Sequence, residues 1–100
     1  MKILQSRSFE RTIKKFTQPE KNALDQQVQK IAENPFVGIE KKGDLRGVFV
    51  HKFKIKTMQF LLSYRLVGDD LELIMIGPHE NYYRDLKSVL KSKTLYRQRV

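Results

Sequence analysis

Three consecutive segments in the middle of the chain have the composition of β-strands, and the connections between them are very short. The segments are 48–56, 58–67 and 71–76, separated by Lys56-Thr57 and by Gly68-Asp69-Asp70. Connections of this length join neighbouring antiparallel strands. The centre of the sequence therefore predicts an antiparallel sheet, and the remaining segments have to cover it.

The residues before this sheet predict a short strand and then a short helix. Residues 1–5 alternate loosely between apolar and polar side chains. Ser6 or Ser8 can cap a helix in which apolar side chains recur at i, i+4 and i+7, namely Phe9, Ile13 and Phe16.

A second helix is predicted to begin at Thr17. Thr17 and Glu20 have the spacing of a capping box, and Pro19 is tolerated in the first helical turn. The helix should end before Asn34-Pro35, because the residue before proline avoids the helical region. Its apolar stripe is Leu24, Val28 and Ile31.

The segment after the sheet predicts a last helix and a basic tail. Gly77-Pro78 stops the third central strand, and residues 79–90 can form a helix. We expect one α+β domain of 100 residues, with the helices packed on one face of a mostly antiparallel, about four-stranded sheet. An N-terminal helix pair precedes the central strands, and a C-terminal helix follows them. Residues 91–100 are expected to fray or to fold on a partner; their basic residues are Lys91, Lys93, Arg97 and Arg99.

The composition excludes several functional classes. The chain has no Cys and only two His, which excludes a disulfide framework, a thiolate metal site, a Cys nucleophile and a His-rich metal cluster. It has no phosphate-cradling glycine loop, no Ser elbow and no paired-carboxylate signature. There is no signal-peptide pattern and no long apolar run, so we expect a soluble cytoplasmic protein without a cofactor.

The net charge is strongly positive and unevenly placed. Twenty Lys and Arg against eleven Asp and Glu give +9. Residues 41–100 contain thirteen basic and six acidic residues, which accounts for +7 of that total. A domain this basic usually meets a polyanion, most often nucleic acid. The alternative is that the charge only maintains solubility.

Lysines alternate with apolar residues in the first central strand. Lys52, Lys54 and Lys56 should share one face at a spacing of about 6.5–7 Å, while Phe53 and Ile55 face the core. This spacing is close to the roughly 6–7 Å between successive phosphates of a single nucleic-acid strand. An ordinary solvated strand face that guards a sheet edge is the alternative.

His79 is the candidate proton donor. It follows Gly77-Pro78 at the end of a strand, and histidine is the side chain that most readily exchanges a proton near neutral pH. His51 should lie on the same face of its strand as Phe53, so we expect it at the edge of the core. The helical stripe predicts that Tyr82 packs and that Tyr83 is free to stack on a base. A helix boundary shifted by one or two residues would exchange these two roles.

The arrangement resembles the RelE/ParE superfamily, the small basic toxins of bacterial type II toxin–antitoxin pairs. The resemblance covers residues 1–90 and includes the order of the elements. The segments that carry it are Leu45-Arg46-Gly47, His51-Lys52-Phe53-Lys54-Ile55-Lys56, Phe60-Leu61-Leu62-Ser63-Tyr64, and residues 76–86, of which Gly-Pro-His-Glu-Asn at 77–81 is the most specific.

The RelE branch cuts mRNA in the ribosomal A site without a metal ion, and the resemblance implies roles for individual residues. Lys52 and Lys54 match positions that act as base and phosphate ligand, and His79 matches a catalytic Arg or His. Tyr83 or Tyr82 stands near the family's C-terminal aromatic residue. The implied catalytic set is Lys52, Lys54, His79 and Tyr83, and the implied RNA-binding set is Arg46, Lys56, Arg65, Tyr82 and Arg84.

One position departs from the RelE pattern. Members of that branch carry an Arg in the second central strand, where this chain has Leu61. Arg65 has the same parity but lies about 13 Å further along the strand, so it is a poor substitute. Arg46 or Arg84 could supply the missing charge instead.

Three functions are consistent with the sequence. The leading hypothesis is a metal-free, ribosome-dependent mRNA endoribonuclease that inhibits translation. The second is a ParE-like, non-enzymatic inhibitor of DNA gyrase, which Leu61 favours. The third is a basic nucleic-acid-binding domain without catalysis. Either toxin reading implies an acidic antitoxin as partner, with the free toxin monomeric and the pair a hetero-oligomer.

Overall fold

One sheet of six strands forms the frame of the molecule. The computed structural model describes residues 1–92 and 94–99. The strands lie side by side in the order β2-β3-β4-β5-β1-β6, and every pair is antiparallel except β1 with β5. Their bounds are β1 Ile3–Ser6, β2 Ile39–Glu40, β3 Phe49–Ile55, β4 Met58–Val67, β5 Asp70–Gly77 and β6 Tyr96–Gln98.

The sequence predicted about four strands, and that number is wrong. The four predicted strands are present as β1, β3, β4 and β5, with bounds that differ by at most two residues. The two additional strands, β2 and β6, are two and three residues long and lie at the edges of the sheet. Segments this short have too few residues to show the alternation of apolar and polar side chains that indicates a strand. They are strands because their main chains pair with a neighbouring strand.

Three helices complete the fold, α1 Arg7–Ile13, α2 Gln18–Glu33 and α3 Tyr82–Lys91. The Ser6 hydroxyl accepts from the Phe9 N–H and caps α1. Both hydrogen bonds of the predicted capping box are present at the start of α2, between Thr17 and Glu20. No helix in the described part of the chain is long and apolar enough to cross a membrane.

The helices lie on both faces of the sheet, whereas the sequence predicted a single helical layer. Leu24, Val28 and Ile31 of α2 pack with Phe9 and one face of the central strands. On the opposite face, Tyr82 and Leu86 of α3 pack with a second buried set, Leu45, Val48, Val50, Leu61, Ile74 and Met75. We call this second surface the α3 face. It carries the candidate site.

The C-terminal segment, expected to fray or to fold on a partner, forms β6 along the outer edge of β1 in this chain. Arg97 pairs with Glu10 at 3.4 Å, and the Arg99 guanidinium contacts both Gln5 and Asp25. These contacts join the end of the chain to β1, α1 and α2. The prediction for Lys93 lies outside the described residues.

Candidate functional site

The strand register brings Lys52 and the end of β5 to the same row of the sheet. Lys52 lies opposite Leu61, and Leu61 lies opposite Gly77. Because neighbouring strands are about 4.8 Å apart, the Cα atoms of Lys52 and Gly77 are about 10 Å apart. The chain leaves the sheet after Gly77, and His79 follows two residues later. Lys52, Lys54 and His79 therefore share one end of the sheet.

The alternation in β3 places the lysines on the α3 face. Phe53 and Ile55 are buried among the residues of the helix pair, and Lys52 and Lys54 between them are exposed on the opposite side. Lys56 was predicted to share the strand face of Lys52 and Lys54, but it lies outside the strand. The strand ends at Ile55, and Lys56 lies in the hairpin turn with a positive φ of 57°. It is exposed there, but it does not continue the row of strand lysines.

Leu61, which replaces the RelE-type Arg, is a core residue. Its side chain is 0% exposed and packs with Val50, Ile74 and Tyr82 on the α3 face. An ionised group at this depth would lose its hydration without gaining a partner. The transition-state cation expected at this position is thus replaced by apolar packing.

His79 and Tyr83 form an aromatic pair at the start of α3. Their ring centroids are 6.1 Å apart with an interplanar angle of 79°. The His79 side chain is exposed and that of Tyr83 is half-buried. The ammonium of Lys41 lies 5.0 Å from the centroid of the same Tyr83 ring. An imidazole, a phenol and an ammonium therefore meet at the rim of the α3 face.

The last helix begins three residues later than the sequence predicted. Asn81 has φ 58° and ψ 11°, which a right-handed helix cannot continue, so α3 begins at Tyr82. The Tyr82 N–H donates to the His79 carbonyl at 3.1 Å and closes a turn. Asparagine adopts this conformation more readily than most residues. His79 consequently lies in a turn at the edge of the sheet and not in a helix.

Tyr82 is buried, so its inclusion in the RNA-binding set is wrong. Its side chain is 1% exposed, and its hydroxyl lies 2.7 Å from the Met75 carbonyl and 2.9 Å from the Ser63 hydroxyl. Burial raises the pKa of the Tyr82 phenol well above its usual range. The prediction that Tyr82 packs and Tyr83 is accessible is confirmed.

The three predicted RNA-binding arginines differ in their surroundings. Arg65 is paired with Glu72 at 2.7 Å and is two-thirds buried, so its charge is compensated inside the protein. Arg84 is exposed with the Asp85 carboxylate 3.6 Å away. Arg46 is exposed at the end of the short 3-10 helix Gly43–Leu45. Of the three, Arg46 is the one whose guanidinium has no carboxylate within 4.0 Å among the described residues.

Lys41 was missed by the sequence reasoning. It lies in the segment 36–47 that reads as a loop, and a lysine in a basic loop carries no signal of its own. Its position over Tyr83 depends on the packing of that loop against α3. Among residues 1–92 and 94–99, no group of three His, Asp or Glu side chains is arranged to hold a metal ion.

Comparisons with known proteins bear on the origin of this fold. The chain is similar to a chain in the crystal structure of the intact E. coli RelBE toxin–antitoxin complex, with a TM-score of 0.63 and 15% identity. The similarity covers 78% of this chain and 95% of that one, and at this identity it concerns the fold. A comparison with curated proteins finds no match. A family model described as "ParE-like toxin of type II bacterial toxin-antitoxin system" matches residues 3–87. The chain therefore belongs to the ParE-like toxins of type II bacterial toxin–antitoxin systems.

Proposed function

We propose that this toxin is a ribosome-dependent mRNA endoribonuclease that works without a metal ion and inhibits translation. The proposal is supported by the strand register, which puts Lys52 in the row of Gly77, two residues before His79, and by the contact between His79 and Tyr83. The side chains of Lys52, Lys54, His79 and Tyr83 are exposed or half-exposed. Two amines and an imidazole are the groups that an RNA transesterification needs around the reacting phosphate.

The chemistry would proceed through the neighbouring hydroxyl of the RNA. Lys52 or Lys54 acts as the base that removes the proton of the 2′-OH, whose oxygen attacks the adjacent phosphorus. The second lysine, as an ammonium, stabilises the negative charge that develops on the phosphorane. The bond from phosphorus to O5′ breaks as protonated His79 gives its proton to O5′. The products are a 2′,3′-cyclic phosphate and a free 5′-hydroxyl, and Tyr83 orients the base.

A partner antitoxin is part of the proposal. The family supports it, because its members belong to toxin–antitoxin pairs. The net charge of +9 favours an acidic partner that covers exposed cations of the α3 face. We propose that the free toxin is a monomer in the cytoplasm and that the inhibited form is a hetero-oligomer with the antitoxin.

The decisive experiment is translation in vitro followed by primer extension on the mRNA. The wild-type toxin should produce discrete cleavage sites that require ribosomes, and His79→Ala should abolish them. His51→Gln is the matched control, because it removes the other histidine, which lies on the helix-pair side and contacts Gln27. Circular dichroism establishes that His79→Ala remains folded. A His79→Ala protein that cleaves at the wild-type rate would eliminate the proposed mechanism.

A ParE-like action on DNA gyrase is the second candidate. The specific observation that favours it is Leu61, which is buried where the RelE-type Arg would be. Pulse labelling after induction in cells separates the two functions. Protein synthesis should stop first for the nuclease, and DNA synthesis should stop first for a gyrase inhibitor.

A further inference from the structure

A cleft of about 700 Å³ lies in the loop that precedes β3, next to the candidate site but outside its strand lysines. Three of its six lining residues are cations and two are carboxylates. The lining residues are Glu40, Lys41, Lys42, Gly43, Asp44 and Arg46. The loop is ordered by β2, by the 3-10 helix and by its packing through Leu45 against Leu86 of α3.

The backbone fixes Lys41 and Arg46 beside one another. The two residues form an isolated parallel β-bridge, so their main chains are immediate neighbours. The Lys41 N–H donates to the Val48 carbonyl at 2.8 Å, and the Arg46 N–H donates to the Gly43 carbonyl at 3.1 Å. Two cationic residues that line the same cleft therefore start from neighbouring positions of the main chain.

The two carboxylates of the cleft are engaged by other groups. The Glu40 carboxylate accepts from the Gly47 N–H at 3.3 Å, and the Asp44 carboxylate lies 3.9 Å from the Lys87 ammonium. Among the described residues, no carboxylate lies within 4.0 Å of the Lys41 or Arg46 cation. These two cations are therefore available for an anion from outside.

Lys41 joins the cleft to the candidate site. Its ammonium lies 5.0 Å from the Tyr83 ring centroid, and the His79 ring lies 6.1 Å from the same centroid. The ammonium and the imidazole are consequently at most about 11 Å apart. Successive phosphates of an extended single strand are roughly 6–7 Å apart. The separation of the ammonium and the imidazole is therefore shorter than the distance spanned by two nucleotides.

We propose that Lys41 and Arg46 form a phosphate subsite for the RNA nucleotide next to the one that is cleaved. The subsite rests on the proposed nuclease function and specifies the path of its substrate. The strand runs from the lysines of β3, past His79 and Tyr83, into the loop cleft. A phosphate in the cleft has two cations as ligands, and its base is placed beside the Tyr83 ring.

The test measures RNA binding by the full-length toxin as a function of salt. The probe is a fluorescein-labelled single-stranded RNA of ten nucleotides, and the readout is its anisotropy between 50 and about 300 mM NaCl. Lys41→Met removes the cation and retains most of the aliphatic stem. The logarithm of the association constant falls linearly with the logarithm of the salt concentration, and this fall should become less steep by about 0.7 in Lys41→Met. That is the contribution of one phosphate contact on a single strand. This decrease corresponds to roughly fivefold weaker binding at about 0.1 M salt.

Two further variants distinguish a phosphate contact from loss of charge or of structure. Lys41→Arg should retain the wild-type slope, because it keeps the cation over Tyr83. Lys15→Met changes the net charge equally at an exposed position between α1 and α2, and its slope should equal that of the wild type.

The outcomes separate the subsite from the proposed function. If the wild type cleaves mRNA on ribosomes and Lys41→Met has an unchanged slope and cleavage rate, the subsite is wrong and the nuclease stands. The subsite is also wrong if the wild type cleaves mRNA but does not bind the probe. If the wild type neither binds RNA nor cleaves it, both proposals are overturned.

Discussion

The hydroxyl of Tyr82 donates a hydrogen bond to the main-chain carbonyl of Met75 at 2.7 Å. Met75 lies at an irregularity of the β4–β5 ladder, where the register shifts between Ser63 and Tyr64. At this bulge the Ser63 hydroxyl of β4 donates to the same carbonyl at 3.2 Å, and the Tyr82 hydroxyl adds a contact from α3. This contact fixes the start of α3, and with it the position of Tyr83.

Removing this hydroxyl should destabilise the protein without changing its surface. Tyr82→Phe should lower the free energy of unfolding in urea by about 1 kcal/mol, the usual value for one buried hydrogen bond. Tyr83→Phe is the matched control, because the Tyr83 side chain is half-exposed and shares the same helix. We expect a change of less than about 0.5 kcal/mol for that control. Equal losses for the two variants would contradict the anchoring role of Tyr82.

Gly38 should be intolerant of any side chain. A Cβ at this position would lie 2.7 Å from the Tyr64 hydroxyl oxygen and 3.0 Å from the Val50 carbonyl oxygen. The same hydroxyl accepts from the Gly38 N–H at 2.9 Å and donates to the Pro35 carbonyl at 2.7 Å. Gly38→Ala should therefore cost roughly 1–3 kcal/mol of stability through overpacking.

A double-mutant cycle identifies the origin of that cost. Tyr64→Phe removes the clashing oxygen but not the Val50 carbonyl, so Gly38→Ala should be less damaging in this background than in the wild type. Thermal unfolding of the four proteins gives the coupling. Strict additivity would show that the hydroxyl of Tyr64 does not limit the space at Gly38.

The residues that the sequence predicted best are those whose role is local. The capping box at Thr17 and Glu20 needs only a spacing of three residues, and the strand turn at Lys56-Thr57 needs only two strands that meet. The face assignment of Lys52 and Lys54 was equally accessible, because the period of a strand depends on its own sequence.

The predictions that failed depend on distant parts of the chain. β6 is a strand because β1, more than 90 residues earlier, offers an unpaired edge, and three polar or aromatic residues carry no sign of that. Lys41 belongs to the site because its loop packs on α3. Tyr82 was included among the RNA ligands because its partners, Ser63 and Met75, meet it only in the folded sheet.

The stability of the protein should depend on pH through His51. This side chain is half-buried, with Nε2 2.8 Å from the Gln27 amide oxygen. Burial, and secondarily the nearby Lys30 ammonium, lower the His51 pKa below its usual value of 6.5. The unfolded chain therefore binds the proton more tightly, so this contribution to stability is fully present above pH 6.5 and is lost as the pH falls through the lower folded value.

Urea unfolding at a series of pH values around this window measures the effect. The free energy of unfolding should decrease on acidification in the wild type, and the decrease should be smaller in His51→Gln. A pH dependence that survives unchanged in His51→Gln would assign it to other groups.

Leu61 should not accept the arginine that RelE-type toxins carry at this position. Its side chain is 0% exposed among Val50, Ile74 and Tyr82, so Leu61→Arg places a charge in an apolar core without a partner. We expect a loss of at least about 4 kcal/mol or failure to fold, measured by thermal unfolding. Leu61→Met conserves volume and should cost less than about 1.5 kcal/mol.

If the proposed nuclease is correct, Leu61→Met should also keep the mRNA cleavage of the wild type, because the cation for the phosphorane comes from β3. A stable Leu61→Arg protein with faster cleavage would show instead that the site lacks an arginine at residue 61.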